Sequence, residues 1–133
     1  METSCGFVLV NHDCVLLLQY PQGHWGFVKG HYEEADGSYQ QTALRELREE
    51  TGIEDVRMVP DFEMRTEYVF TRKGREVRKQ VFWYAAETDV VVVTLSHEHT
   101  GHLWLPWDEA AEQLTFDNSR NVLAAARAAL EGA

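Results

Sequence analysis

Apolar residues run together in two short stretches near the start of the chain, Gly6 to Val10 and Cys14 to Gln19, with polar Asn11-His12-Asp13 between them. That spacing predicts a hairpin, and Trp25 to Val28 predicts a short strand feeding a glycine loop. From Ser38 the period changes. Ser38 is a predicted N-cap and Gly52 a predicted C′ glycine, so Ser38 to Thr51 reads as the first helix. Val56 to Phe62, Arg65 to Thr71 and Glu76 to Glu87 return to strand character, the last two joined by a turn at Lys73-Gly74. Leu103 to Leu105 predicts a further short strand, and Trp107-Asp-Glu leads into a short helix. Asp117-Asn-Ser then caps a final helix whose Val122, Leu123, Ala126 and Leu130 fall at helical spacing. Strands interleaved with helices, without repeats or linkers, predict one α/β domain over residues 1–133, with a mixed central sheet in an α/β/α sandwich.

At 133 residues the chain is long enough for one domain with a real core and too short for two of ordinary size. The formal charge of −10 opposes binding to a phosphate backbone, so no stable nucleic-acid partner is expected. Local compensation lies in Arg72-Lys-Gly-Arg-Glu-Val-Arg-Lys79, which holds five of the twelve Lys and Arg residues. Those cations read either as an anion-steering group or as a solvated hairpin turn. The start, Met-Glu-Thr-Ser, lacks the basic and apolar run of a signal peptide, and Val15 to Leu18 and Val90 to Val93 are far short of a membrane span. A soluble, cytoplasmic protein without a membrane partner is expected. The hairpin turn would set Cys5 against about Leu18 and Cys14 against about Leu9, which predicts two free thiols.

Chemistry concentrates in Arg45-Glu-Leu-Arg-Glu-Glu-Thr-Gly-Ile53. Glu46, Glu49 and Glu50 occupy positions i, i+3 and i+4, so on a helix they share one face. Three like charges repel, and an all-oxygen ligand set suits a hard divalent ion, Mg²⁺ or Mn²⁺. Arg45 can pair with Glu49 across one turn. The plainer reading is a solvated acidic helix face.

With the upstream glycine loop, this unit closely resembles the signature of the Nudix hydrolases, G-x5-E-x7-R-E-U-x-E-E-x-G-U with U aliphatic. Gly30, Arg45, Glu46, Leu47, Glu49, Glu50, Gly52 and Ile53 match it. The interval from Gly30 to Arg45 is one residue longer than the pattern, so the loop acid is Asp36 counted from the glycine, or Gly37 counted back from the arginine. Gly26-Phe-Val-Lys-Gly-His31, Lys79-Gln-Val-Phe-Trp-Tyr84, Ser96-His-Glu-His99 and Leu114-Thr-Phe-Asp117 resemble segments of the asymmetrical diadenosine tetraphosphate hydrolases.

The resemblance implies the sandwich fold and metal-dependent hydrolysis of a small dinucleoside polyphosphate to ATP and AMP. The alternatives are a pyrophosphatase for a diphosphoinositol polyphosphate, an RNA 5′ end or another nucleoside diphosphate-X substrate, and a non-catalytic nucleotide-binding module. It further implies roles for individual residues. Glu46, Glu49, Glu50 and Gly30 would hold Mg²⁺ or Mn²⁺, and Glu49, Glu98 and Arg45 would serve the reaction. Lys29, His31, Arg72, Lys73, Arg75, Lys79 and His99 would contact phosphate. Trp83 and Phe116 would stack the adenine, although Phe116 also fits a hydrophobic staple on the last helix. Tyr84 would face away from Trp83, with one of the two in the core. Trp25, Trp104 and Trp107 read as core or rim residues.

Overall fold

The computed structural model describes residues 1–132. Its centre is β1 (Glu2–Asn11), a strand buried on both faces along most of its length. Phe7 and Leu9 face one apolar cluster while Val8 and Val10 face the other, as the two-residue period of a strand requires. One edge of β1 runs parallel to β7 (Arg75–Glu87), from Glu2 opposite Lys79 to Val10 opposite Glu87. Its other edge is shared. β2 (Cys14–Gln19) pairs antiparallel with its far end, and β4 (Val28–His31) pairs with Ser4 to Phe7. The sheet therefore splays where β4 leaves β2, and that opening becomes the cleft.

β2 continues outward to β3 (Trp25–Gly26) and β8 (Gly101–Pro106), while β7 carries β6 (Met64–Arg72) and the short β5 (Arg57–Met58). The eight strands form one mixed sheet. α1 (Tyr39–Thr51) covers one face through Ala43 and Leu47. α2 (Trp107–Gln113) and α3 (Asp117–Glu131) cover the other through Ala110, Val122, Leu123 and Ala126. The expected α/β/α sandwich is formed. Among the described residues no helix is long and apolar enough to cross a membrane.

Several local expectations need correction. Val56 to Phe62 is reduced to Arg57–Met58, because Pro60 lacks a ladder donor and Asp61 adopts φ 60°. Trp25 to Val28 divides into two strands bonded to different partners. The β1–β2 hairpin sets Cys14 against Asn11 and not Leu9, while Cys5 lies against Gly30 and Phe82, well away from β2. Both thiols are free, as expected. α3 begins one residue early, with Phe116 as its N-cap residue and Asp117 inside the first turn. Lys73 and Gly74, at φ 52° and 75°, make the tight turn of the β6–β7 hairpin, where a glycine carries the second positive φ without strain.

Candidate active site

α1 is fixed at both ends by its own sequence. The Ser38 hydroxyl accepts from the Gln41 amide at 3.1 Å, and Gly52 at φ 77° ends the helix while its amide donates to the Arg48 carbonyl. Between these caps, burying Leu47 against the sheet brings its neighbours on the same flank, Glu46 and Glu50, to the edge of β4. Glu46 lies directly on Gly30. A Cβ at Gly30 would fall on the Glu46 carboxylate, so only glycine leaves the carboxylate room.

Arg45 gathers the acids of this end. Its Nε donates to both Asp36 oxygens at 2.9 and 3.1 Å, Nη1 to Glu46 at 3.0 Å and Glu49 at 3.1 Å, and Nη2 to the His31 carbonyl at 3.2 Å. Thr42 adds a 2.7 Å hydrogen bond to Asp36. The Arg45 guanidinium holds the Asp36 carboxyl below the usual range. Asp36, and not Gly37, thus fills the place of the loop acid, and the extra residue is absorbed after it, between Asp36 and Arg45.

The three glutamates do not converge as helical spacing alone suggested. Arg45 draws Glu49 to the exposed side, whereas Glu46 and Glu50 face each other. Burial, then the hydrogen bond and charge of Glu50, push the Glu46 carboxyl up to about 7 despite Arg45. Among the described residues no three acidic, His or Cys side chains stand at metal-binding spacing. The Glu46–Glu50 pair nevertheless suits a hard cation. It is an all-oxygen donor set with mutual repulsion, and the buried Glu50 Oε2 lacks a hydrogen-bond partner.

A turn from Ser96 to His99 closes over Glu50. The Thr94 and Ser96 amides donate to the carbonyls of Thr51 and Glu50, filling acceptors that a helix leaves open at its C-terminus. The turn buries His99, whose Nδ1 stands 2.9 Å from Glu50 Oε2. The approach lacks hydrogen-bond alignment, so both atoms and His99 Nε2 retain unused capacity. Glu98 and His97 are exposed and line the cleft from the same turn.

The cleft encloses about 780 Å³, with the acids on one side and Lys29, Lys79 and His31 on the other. Burial, followed by Lys79, pulls Lys29 down to about 8, and burial also lowers Lys79. Tyr20 forms the third wall. Its ring stacks on His24 (4.6 Å, 7°), meets His99 edge-on (4.7 Å) and lies under the Lys29 amino group at 5.5 Å. His24 in turn meets Phe116 at 5.4 Å, and Phe116 is 54% exposed. Thr115 ties that residue in place by exchanging hydrogen bonds with Trp25.

Two expectations fail here. Trp83 is 5% exposed, packs edge-on against Phe27 at 5.6 Å and donates to Thr66, so it is a core residue with no free face. Tyr84 does face the opposite side, but it too is buried and donates to Glu63. Of the basic hairpin only Lys79 reaches the cleft. Arg72 pairs with Glu2 at 2.7 Å, and Lys73 and Arg75 sit at the exposed turn. Tyr20 and His24 were missed. A Tyr-x3-His spacing just before a glycine loop carries no chemical signal until the loop folds back on itself.

The sequence pattern described as NUDIX domain matches residues 2–126. The chain belongs to the Nudix family. It is 38% identical over 135 aligned positions to the asymmetrical bis(5′-nucleosyl)-tetraphosphatase of Sus scrofa and 36% identical to that of Rattus norvegicus, covering 90% of this chain and 89% of each relative. Its fold superposes on a C. elegans Ap4A hydrolase binary complex with a TM-score of 0.85 and 27% identity, covering 100% of both chains. Nudix hydrolases generally use divalent metal ions, and the Nudix residues Gly30, Arg45, Glu46 and Glu50 of this chain are those gathered at the acidic wall.

Proposed function

We propose that this Nudix hydrolase cleaves diadenosine tetraphosphate with water to ATP and AMP. The observation that carries the reading is the opposition of the Glu46–Glu50 pair to the Lys29–Lys79 pair across one cleft. The curated mammalian relatives, similar over 90% of the chain, support the substrate. Glu46, Glu50 and the Gly30 backbone would hold Mg²⁺ or Mn²⁺, with Glu49 joining by leaving Arg45. Such an ion supplies charge neutralisation at the phosphoryl oxygens and a lowered pKa for the attacking water.

The chain's own groups do the rest. Arg45 and Gly30 fix where Glu46 points, and His99 backs Glu50. Lys29, Lys79 and His31 take phosphate oxygens. Glu98, exposed on the turn above, accepts a proton from water. The exposed ring of Phe116 and its neighbour His24 replace the expected Trp83–Phe116 clamp as the adenine platform. A cytoplasmic site of action, consistent with two free thiols, is part of this reading.

The test is product identification with Mg²⁺ and diadenosine tetraphosphate, alongside Glu50→Gln. Equal ATP and AMP are expected, with turnover lowered by a factor on the order of 10²–10⁴ in the variant and abolished in wild type by EDTA. Two ADP, or activity that survives chelation, would refute the assignment.

A further inference from the structure

The link between α2 and α3 lacks the usual devices for ending one helix and starting the next. α2 has seven residues and stops at Leu114 without a glycine, and α3 starts from Phe116, which offers no capping side chain. Arg120, in the first turn of α3, supplies what is missing by reaching back across the link. Its Nε donates to the Ala111 carbonyl at 2.9 Å and its Nη2 to the Leu114 carbonyl, two acceptors that α2 leaves open at its C-terminus. Its Nη1 holds Asp117 at 2.7 Å. By spacing alone, Asp117 and Arg120 read as an ordinary surface ion pair. The fork onto two backbone carbonyls is what sets Arg120 apart.

What this clasp fixes is Phe116. Leu114 is anchored in the core, so the freedom left in the link belongs to Thr115 and Phe116. Trp25 holds Thr115 from the β3 side, and that bonded pair sets the adjoining His24 and Phe116 ring to ring. From the α3 side, the Phe116 carbonyl accepts from the Ser119 and Arg120 amides. Both approaches leave the ring exposed in one direction. The polar partners of the guanidinium are two carbonyls and an acid that is 97% exposed, all of which water can take over if the fork leaves. Stability is therefore a weak reason for the clasp, and a rigid exposed ring is its main product.

We propose that Arg120 is a positioning residue that sets the affinity for the adenosine end of the substrate, by holding the Phe116 ring in its binding orientation before the nucleotide arrives. The proposal rests on the reading of Phe116 as the adenine platform. ATP and inorganic tripolyphosphate are the probes, since they share a triphosphate chain and differ by the adenosine. Titration calorimetry in a fixed Mg²⁺ background compares wild type, Arg120→Met, Arg120→Lys, Phe116→Ala and Arg120→Met with Phe116→Ala.

Freeing one ordered side chain should weaken ATP binding by about twofold to tenfold in Arg120→Met, while tripolyphosphate binds as it does to wild type. Arg120→Lys should lose ATP affinity too, because a charge without the planar fork does not hold both carbonyls. In the Phe116→Ala background Arg120→Met should add no further loss, since its effect runs through the ring. Melting curves confirm folding, and Arg120→Lys decides the matter if Arg120→Met does not fold. Wild-type ATP affinity in folded Arg120→Met or Arg120→Lys, an equal loss for tripolyphosphate, or a loss that persists without the ring would each overturn the positioning role. The expected pattern in a protein that leaves diadenosine tetraphosphate intact would support the role and overturn only the substrate reading.

Discussion

Replacing Gly30 with alanine should displace one carboxylate and little else. The three atoms nearest a Cβ at this position all belong to the Glu46 carboxylate. Gly30 is outside the left-handed region, so alanine meets no backbone strain there. The obstacle is the mobile end of a side chain, which can swing away at small cost. Glu46 would give up its 3.0 Å bond from Arg45, a charge-assisted contact worth about 1.5–3 kcal/mol. Relief of the Glu46–Glu50 repulsion offsets part of that, and Arg45 keeps Asp36, Glu49 and the His31 carbonyl. The net loss should be about 1 kcal/mol, a drop of roughly 4 °C in thermal midpoint for a domain of this size. Function should suffer far more. Moving a ligand oxygen by about 1 Å can cost about 10²-fold in rate, and both Mn²⁺ affinity and turnover should fall by at least that order. Mn²⁺ binding followed by electron paramagnetic resonance, a melting curve and chromatography of ATP and AMP measure the three quantities. A folded Gly30→Ala protein with at least a third of wild-type turnover and unchanged Mn²⁺ affinity would refute the placement of Glu46. An unfolded one would show that Gly30 serves the fold.

Further predictions distinguish neighbouring roles. Phe116→Ala should weaken dinucleotide binding by about 1–3 kcal/mol with little change in melting, whereas Trp83→Ala should cost about 3–5 kcal/mol of stability; equal binding loss with equal stability in the two would restore the original clamp. Replacing Arg72, Lys73 and Arg75 together with alanine should raise KM and flatten its salt dependence while kcat holds, since these groups lie outside the cleft and act at long range; a collapse of kcat would place them at the reacting phosphate. Glu46 binds a proton more tightly when folded than when unfolded, so the chelated protein should be steadiest below about pH 4.5 with respect to this group and lose that contribution as pH rises through about 7. Added Mg²⁺ should restore stability above pH 7, and a melting temperature indifferent to Mg²⁺ at pH 8 would contradict a cation at the Glu46–Glu50 pair. Burial pushes the Cys5 thiol up to about 12, so iodoacetamide at pH 8 should modify the half-exposed Cys14 and spare Cys5 until denaturant is added.

What the sequence made legible follows from how local each feature is. The α1 caps are written in Ser38 and Gly52 themselves, and the sandwich follows from strands buried on both faces beside helices with one apolar face. Asp36 could not be separated from Gly37 by counting, because the choice rests on where a 3₁₀ turn at Glu34–Asp36 delivers the carboxylate to Arg45 and Thr42. Trp83 was misassigned for a similar reason. Alternation along β7 gives two faces, but only the packing of Phe27 and the hydroxyl of Thr66 decide that both are interior.

The same reasoning governs the acidic helix. Spacing alone sets Glu46, Glu49 and Glu50 on one side, and by that measure they are equivalent. Elements far away in sequence break the equivalence. Gly30 of β4 admits Glu46, the Ser96–His99 turn buries Glu50, and the Arg45 guanidinium, anchored by the loop acid Asp36, draws Glu49 outward. Two carboxylates are thereby forced together and the third is held at the rim. A cation entering between Glu46 and Glu50 would remove the repulsion that raises the Glu46 carboxyl, so binding should displace a proton from Glu46 below about pH 7 and strengthen as pH rises past it. This makes Arg45 a positioning residue. Arg45→Lys would keep one charge but lose the planar fork that reaches Asp36, Glu46 and Glu49 together, and should lower Mn²⁺ affinity while leaving α1 folded.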